Sequence, residues 1–70
     1  APADAITAHQ TMRLEGGPVR CPVYERSRLA AGAEIHGPAI VTQLDSTTLL
    51  LPEHVATVDR FGSLVVTERG

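Results

Sequence analysis

The sequence predicts an all-β fold, a small barrel-like or sandwich domain of six to seven short strands with at most one helical turn. Its apolar runs are short, rich in branched side chains and bounded by Gly and Pro, which favours buried strands over helices. Turn-forming residues recur about every 8 to 12 positions, as expected of a small barrel or sandwich. The central stretch, residues 37–52, holds two such runs at 39–41 and 49–51, and we expect both to be buried strands.

An N-terminal hairpin precedes this central stretch. Residues 10–15 alternate between apolar and polar side chains, and the next pair, Gly16-Gly17, is a hairpin signal because Gly adopts positive φ without steric cost. Residues 19–23 alternate again and form the second strand. Because Pro22 has no N–H to donate to a ladder, we expect this strand to lie at a sheet edge or to end early.

The other elements follow from simpler patterns. Residues 25–29 lack alternation and predict a single helical turn with Leu29 packed inward. Residues 55–59 and 64–67 are β-prone and predict the last two strands. The loop between them places Gly62 where a left-handed conformation is needed.

Length limits the domain organisation. The first eight residues are small and weakly patterned, so 1–8 is predicted to be a linker or frayed N-terminus and 9–70 a single β domain. A chain of 70 residues buries only about 60% of its unfolded surface, so its core must be thin. The sequence does not begin with Met, which suggests a domain cut from a longer protein.

Composition excludes several classes of function. The net charge is −2 and no basic cluster is present, which argues against nucleic-acid binding. All 6 basic residues are Arg, so a Schiff-base lysine, a P-loop lysine and a lysine-tethered biotin or lipoyl group are excluded. The apolar runs are far shorter than the roughly 18 residues that cross a membrane, and no signal peptide is recognisable. With one cysteine and no disulfide, the expected location is the cytoplasm.

The polar segment between the two central runs is the best candidate for a functional surface. Asp45, Ser46, Thr47 and Thr48 are well placed to face a partner domain or a ligand, and His54 completes this candidate interface loop. The alternative is that the first two residues cap a turn and the two threonines begin a strand. A nucleophilic serine is not supported, because no G-x-S-x-G elbow surrounds it.

The three histidines and the cysteine are best explained by structural roles. His9, His36 and His54 are widely separated, whereas zinc ligands normally include closely spaced pairs, so we expect surface or turn histidines. A phosphohistidine role for His36 would require small and hydroxyl neighbours that the sequence lacks. Cys21 alternates with valines and is predicted to be a small buried hydrophobe; no cation or helix N-terminus is positioned to activate its thiol.

The remaining charged residues are not assigned catalytic roles. Arg26 and Arg28 together with Glu25 predict a solvated face, with an ion pair to a parent enzyme as the alternative. Asp45 and Glu53 have no reason to lie close together, so a general acid–base pair is not assigned. The sequence therefore predicts no catalytic, cofactor-binding or metal-binding residue in this chain.

An ordered series of short segments resembles the C-terminal domain of the hydantoinase A / 5-oxoprolinase family, which includes N-methylhydantoinases, 5-oxoprolinases and subunits of acetone and acetophenone carboxylases. The segments are Pro22-Val23-Tyr24-Glu25-Arg26, Leu29-Ala30-Ala31-Gly32, Ile35-His36-Gly37-Pro38-Ala39-Ile40-Val41, Asp45-Ser46-Thr47-Thr48, Pro52, Val58-Asp59 and Phe61-Gly62-Ser63-Leu64. The sequence departs from the family pattern at Leu51-Pro52-Glu53-His54, where Pro-Pro-Gly-Trp is common, and at Ser63, where Asn is common.

The resemblance implies an indirect role as the C-terminal module of a larger enzyme. Enzymes of this family use ATP, with a divalent metal, to activate a cyclic amide or a ketone for hydrolysis or carboxylation, and their nucleotide site lies in upstream kinase-like domains. The chain would then be a non-catalytic structural or docking module without a cofactor of its own. Its partners would be the upstream catalytic domains of the same polypeptide or a second subunit. The competing hypotheses are a free-standing small-ligand-binding or carrier-like β domain, and a fragment that is itself catalytic.

Overall fold

The computed structural model describes residues 2–68, which form seven strands and two single-turn 3-10 helices, η1 and η2. The elements are η1 Pro2–Ala5, β1 Ile6–Leu14, β2 Gly17–Glu25, η2 Arg26–Arg28, β3 Glu34–His36, β4 Ala39–Gln43, β5 Ser46–Leu50, β6 His54–Val58 and β7 Leu64–Glu68. The all-β class is confirmed. The predicted helical turn is η2, and η1 is a second short turn that the sequence did not indicate.

The strands form two open sheets, one ordered β1-β2-β4-β5 and the other β3-β6-β7. All neighbouring strands are antiparallel except β2 and β4, which pair in parallel from Val23 opposite Ile40 to Glu25 opposite Thr42. The barrel alternative is therefore wrong. Closing a barrel needs a continuous ladder, whereas here the chain leaves the first sheet after η2 and β3 pairs with β6.

The main core lies between the two sheets. Val41 and Leu50 come from the four-stranded sheet, Ile35 and Val58 come from the three-stranded sheet, and all four are almost completely buried. Leu29, which follows η2, packs into the same cluster as predicted. Aliphatic burial between the sheets is thus the main stabilising contribution, at roughly 25 cal/mol per Å² of apolar surface.

A second cluster lies on the other face of the four-stranded sheet. It consists of Met12, Cys21, Val23 and Ile40, with Leu14 packed against it. Neighbouring residues of a strand point to opposite faces, so Ile40 enters this cluster while the next residue enters the main core. The prediction that Cys21 is a small buried hydrophobe is confirmed, since its exposed fraction is 0%.

The N-terminal hairpin forms, with two differences from prediction. Its turn is Glu15-Gly16, closed by Leu14 opposite Gly17, which is one residue earlier than the glycine pair indicated. The expected edge position of β2 is wrong, because β2 lies between β1 and β4. Pro22 is tolerated since β4 pairs with β2 only from Val23 onward, so at Pro22 the strand has β1 as its one neighbour.

The N-terminal residues also differ from prediction. Residues 2–8, expected to be a linker or frayed end, form η1 and the start of β1. Ala5 is fully buried in the main core, and Ile6 pairs with Tyr24. A buried alanine among other small residues produces no amphipathic pattern, which is why the sequence did not indicate this segment.

The second central run is only partly buried. Leu50 is fully buried, whereas Leu49 is 57% exposed and Leu51 is 38% exposed. Adjacent residues of a strand face opposite sides, and β5 is the edge of its sheet, so the three leucines cannot share one environment. Within residues 2–68 no helix has the length and apolar character to span a bilayer.

Candidate docking surface

The polar segment singled out in the sequence is a hairpin turn with the beginning of a strand. Leu44 and Asp45 form the turn, while Ser46, Thr47 and Thr48 belong to β5 and pair with β4. The two threonines therefore lie in a strand, as in the structural alternative, but this strand begins at Ser46 rather than at Thr47. The first three polar residues of the segment are exposed and the last is half-buried, so Asp45, Ser46 and Thr47 remain accessible to a partner.

His54 lies away from the other four residues of the predicted loop. It begins β6, beyond the end of β5 that is opposite to Asp45. Its Nδ1 accepts a hydrogen bond from the backbone N–H of Leu51 at 3.0 Å, and its own backbone N–H donates to the Leu51 carbonyl at 2.9 Å. His54 therefore holds the turn between β5 and β6, and the structure does not bring it together with residues 45–48.

Three connections converge at one end of the domain, which we call the η2 end: the η2 turn, the Leu44-Asp45 turn and the loop 59–63. Glu25, which precedes η2, pairs with Thr42 only two residues before Leu44. From η2 itself, the Arg26 guanidinium donates to the carbonyl of Gly62 in loop 59–63. Element η1 contacts η2, so the start of the described chain lies at this end as well.

The two most exposed large apolar side chains lie at the η2 end. Leu44 is 97% exposed in its turn and Phe61 is 79% exposed in loop 59–63. Single exposed apolar residues are common on protein surfaces, but two large ones at one end, including the chain's one phenylalanine, make this end the candidate contact surface. Neither residue was predicted to be functional, although a large apolar side chain inside a predicted hairpin turn is a signal that the sequence contains.

The backbone of loop 59–63, which carries Phe61, is held by several hydrogen bonds. The Asp59 carboxylate accepts the backbone N–H groups of Phe61 at 2.9 Å and of Ser63 at 2.8 Å. The Gly62 N–H donates to the Asp59 carbonyl at 3.0 Å, and Gly62 has φ of 84°, the left-handed conformation predicted for it. The Arg60 guanidinium carbon lies 4.9 Å from the centre of the Phe61 ring. The loop thus presents an aromatic ring and a cation together.

Arg26 is a structural residue, so its assignment to a solvated face is wrong. It is half-buried and donates to the carbonyls of Leu29, at 3.5 Å, and of Gly62. One acceptor follows η2 and the other belongs to loop 59–63, so the Arg26 guanidinium links these two segments. Arg28, in contrast, is exposed as predicted.

We expect Arg26→Met to lower the free energy of unfolding by about 1 to 2 kcal/mol, because two carbonyls lose a charged donor. Arg28→Met is the matched control and should change stability by less than about 0.5 kcal/mol. Urea denaturation of the two variants followed by circular dichroism measures the difference. Equal losses in both variants would show that the hydrogen bonds of Arg26 contribute nothing beyond those of a surface arginine.

The opposite end of the domain carries a groove of about 590 Å³. It lies between the β1–β2 turn and the β5–β6 turn and is lined by Arg13, Leu14, Glu15, Gly16, Val19, Leu51, Pro52 and Glu53. Its walls are apolar, with charged side chains of both signs around them.

Across residues 2–68, no three His, Cys, Asp or Glu side chains are grouped closely enough to hold a metal ion. The donor set of these residues therefore does not fit a divalent metal.

Together these features define a small two-sheet β domain whose most exposed apolar side chains are grouped at one end. The model of the hydantoinase/oxoprolinase C-terminal domain family matches residues 1–67, so the chain belongs to this family. This confirms the resemblance found in the sequence.

Two proteins illustrate the relationship. The chain is 30% identical over 61 residues to 5-oxoprolinase 1 of Arabidopsis thaliana, a match that covers 87% of this chain and 5% of that protein. It is 43% identical over 42 residues to an uncharacterized protein of Methanocaldococcus jannaschii, covering 60% of this chain and 6% of that protein. No solved structure gives a significant match. The chain thus corresponds to a small part of each relative.

Proposed function

We propose that the chain is the non-catalytic C-terminal docking module of an ATP-dependent hydantoinase/5-oxoprolinase-type enzyme that acts on cyclic amides in the cytoplasm. The family assignment and the likeness to 5-oxoprolinase 1 support this proposal. ATP and a divalent metal would bind in the upstream domains, as the family resemblance implies. The module would contribute by packing on those domains or on a second subunit.

The η2 end is the observation that carries the docking role. Leu44 and Phe61 expose large apolar surfaces there. Contact of these surfaces with water is unfavourable, so covering them with a partner surface lowers the free energy. Asp45 and Ser46, the residues predicted to face a partner, lie in the same turn as Leu44 or directly after it. A contact made at this end would leave the two aliphatic clusters undisturbed.

The isolated 70-residue chain is expected to show no hydrolysis of ATP, hydantoin or 5-oxoproline above background. A catalytic site needs several reactive groups held close together in one geometry. Within residues 2–68, His54 lies at the opposite end of the domain from the exposed polar residues Asp45 and Ser46. Phosphate release and amide hydrolysis, measured with and without added Mg²⁺, test this. Turnover by the isolated chain that a single substitution such as Asp45→Asn abolished would contradict the proposal.

The alternative of a small-ligand-binding domain is favoured by one feature, the groove at the opposite end. Its volume of about 590 Å³ is within the range of ligand pockets. Under this alternative a small molecule would raise the melting temperature of the isolated chain, and Leu51→Arg would remove that effect by filling the groove. Under the docking proposal no small molecule is needed, and the stabilising partner is a protein surface.

A further inference from the structure

We infer that Phe61 is the anchor of the docking contact, inserted into an apolar socket of the polypeptide that precedes residue 1, with a carboxylate of that polypeptide facing Arg60. This inference rests on the proposed function and adds to it the anchor residue, the occupant and its chemistry. It follows from where the chain enters the domain, from the hydrogen bonds of loop 59–63 and from the charge beside the ring.

The chain enters the domain at the η2 end. Element η1 contacts η2, and Ile6 at the start of β1 pairs with Tyr24 near the end of β2. In a longer polypeptide the part that precedes residue 1 therefore joins the domain at the same end as Leu44 and Phe61. Tethering two surfaces by a short connection gives them a high effective concentration, so the surface nearest to the connection is favoured for contact.

The backbone around Phe61 is hydrogen-bonded within the domain before any partner binds. Two backbone N–H groups of its loop are held by the Asp59 carboxylate, and Arg26 holds the loop from the other side through Gly62. Because the backbone of this loop is already held, the entropy lost on inserting Phe61 is mainly that of its side-chain torsions rather than that of ordering the loop. Aromatic residues and arginine are the types that most often dominate binding energy at protein interfaces, and Phe61 and Arg60 supply both.

The charge beside the ring specifies the partner further. Arg60 is exposed and lies over Phe61, and no ion pair or hydrogen bond involves its guanidinium in the part of the chain that the structure describes. When the ring is inserted, the guanidinium is carried to the rim of the contact and loses water. A carboxylate at the rim would compensate this loss with a charge-assisted hydrogen bond.

Other exposed apolar residues do not form a comparable surface. Val65 and Val66 of the edge strand β7 are 45% and 41% exposed, but as neighbours they point to opposite faces. Leu49 lies on β5 away from the Leu44-Asp45 turn and from loop 59–63, and Val19 and Leu51 line the groove at the far end. The η2 end combines an exposed aromatic ring on a hydrogen-bonded loop, an adjacent cation and the chain entry point.

The test uses the longer polypeptide with a protease site introduced before Pro2. When the module is docked, this site is protected, and its cleavage rate reports the undocked population. We expect Phe61→Ala to raise the cleavage rate at least about tenfold, since the loss of an interface anchor commonly costs more than a tenfold change in affinity. Leu49→Ala, which truncates another exposed apolar side chain, is the matched control and should change the rate less than about twofold.

A second pair of variants tests the charge. Arg60→Glu should raise the cleavage rate about as much as Phe61→Ala, and Arg60→Lys should restore most of the protection. Circular dichroism of each variant chain confirms that the domain remains folded. Phe61→Leu is the second variant if truncation perturbs folding, and it should give an intermediate rate.

The outcomes separate this inference from the proposed function. If the wild-type site is protected but Phe61→Ala and Leu49→Ala are cleaved equally slowly, the module docks through another face and this inference is overturned while the docking role stands. If the wild-type site is cleaved as fast as an unstructured peptide and the module separates from the remaining protein, the docking role itself fails. Selective release by Phe61→Ala and Arg60→Glu supports both.

Discussion

Replacing Gly37 with alanine should destabilise the domain by about 3 kcal/mol or more, a large part of the stability expected for a small domain. A Cβ at this position would overlap the carbonyl oxygen of Leu51, and it would lie 2.7 Å from the carbonyl carbon of Leu51 and 3.0 Å from the Leu50 carbonyl oxygen. These are backbone atoms, which cannot rotate away as a side chain can. The Gly37 N–H also donates to the His54 carbonyl at 3.0 Å, so displacement would break that bond.

Gly16→Ala provides the matched control for this prediction. No atom lies within 4 Å of a Cβ built at Gly16, and its φ is not positive. We expect a change of less than about 1 kcal/mol, because only the unfolded-state entropy and the turn preference are altered. Urea denaturation of both variants measures the contrast. A Gly37→Ala variant as stable as Gly16→Ala would mean that residues 50–51 do not approach Gly37 this closely.

Replacing Ile40 with aspartate should unfold the chain. Ile40 is 6% exposed and packs in the cluster that contains Met12, Cys21 and Val23, so a carboxylate there would be buried without a partner. Such a burial costs several kcal/mol, on the order of the whole stability of a small domain. Circular dichroism is expected to show loss of the β signal, and thiol labelling should show that Cys21 has become accessible.

Leu49→Asp is the control for the aspartate substitution. Leu49 lies directly opposite Ile40 on the β4–β5 ladder but is 57% exposed, so its carboxylate can remain in water. The variant should remain folded, with a loss below about 1 kcal/mol. If Ile40→Asp melted at the temperature of the unsubstituted chain, the assignment of Ile40 to a buried cluster would be wrong.

The local elements were predictable because their signals are local. Alternation and the following glycines indicated the β1–β2 hairpin, and the run 39–41 between Gly-Pro and a polar segment indicated β4. The division into two sheets was not predictable, because the parallel pairing of β2 with β4 and the pairing of β3 with β6 join segments that are distant in sequence. Period-2 patterns specify which face is buried but not which strand is the neighbour.

The candidate surface was predicted in part. The polar residues Asp45 and Ser46 were selected from the sequence, and the structure places them in an exposed hairpin. His54 was grouped with them, although its hydrogen bonds at the β5–β6 turn place it at the other end. Leu44 and Phe61 were missed because turn positions were interpreted through backbone conformation alone. Recognising them requires the fold, because only the pairing of the strands shows that the turn containing Leu44 and the loop containing Phe61 meet at one end.

The direction of β7 has a practical consequence for experiments on the longer enzyme. Leu64 pairs with Val58 and Glu68 pairs with His54, so this strand carries the chain away from Phe61 to the far side of the module. A fluorescent protein or affinity tag fused behind the module would emerge there, remote from the proposed contact. A folded reporter inserted immediately before Pro2 is far larger than a short protease site and would lie at the end that carries Leu44 and Phe61, so folded reporters of assembly belong on the C-terminal side.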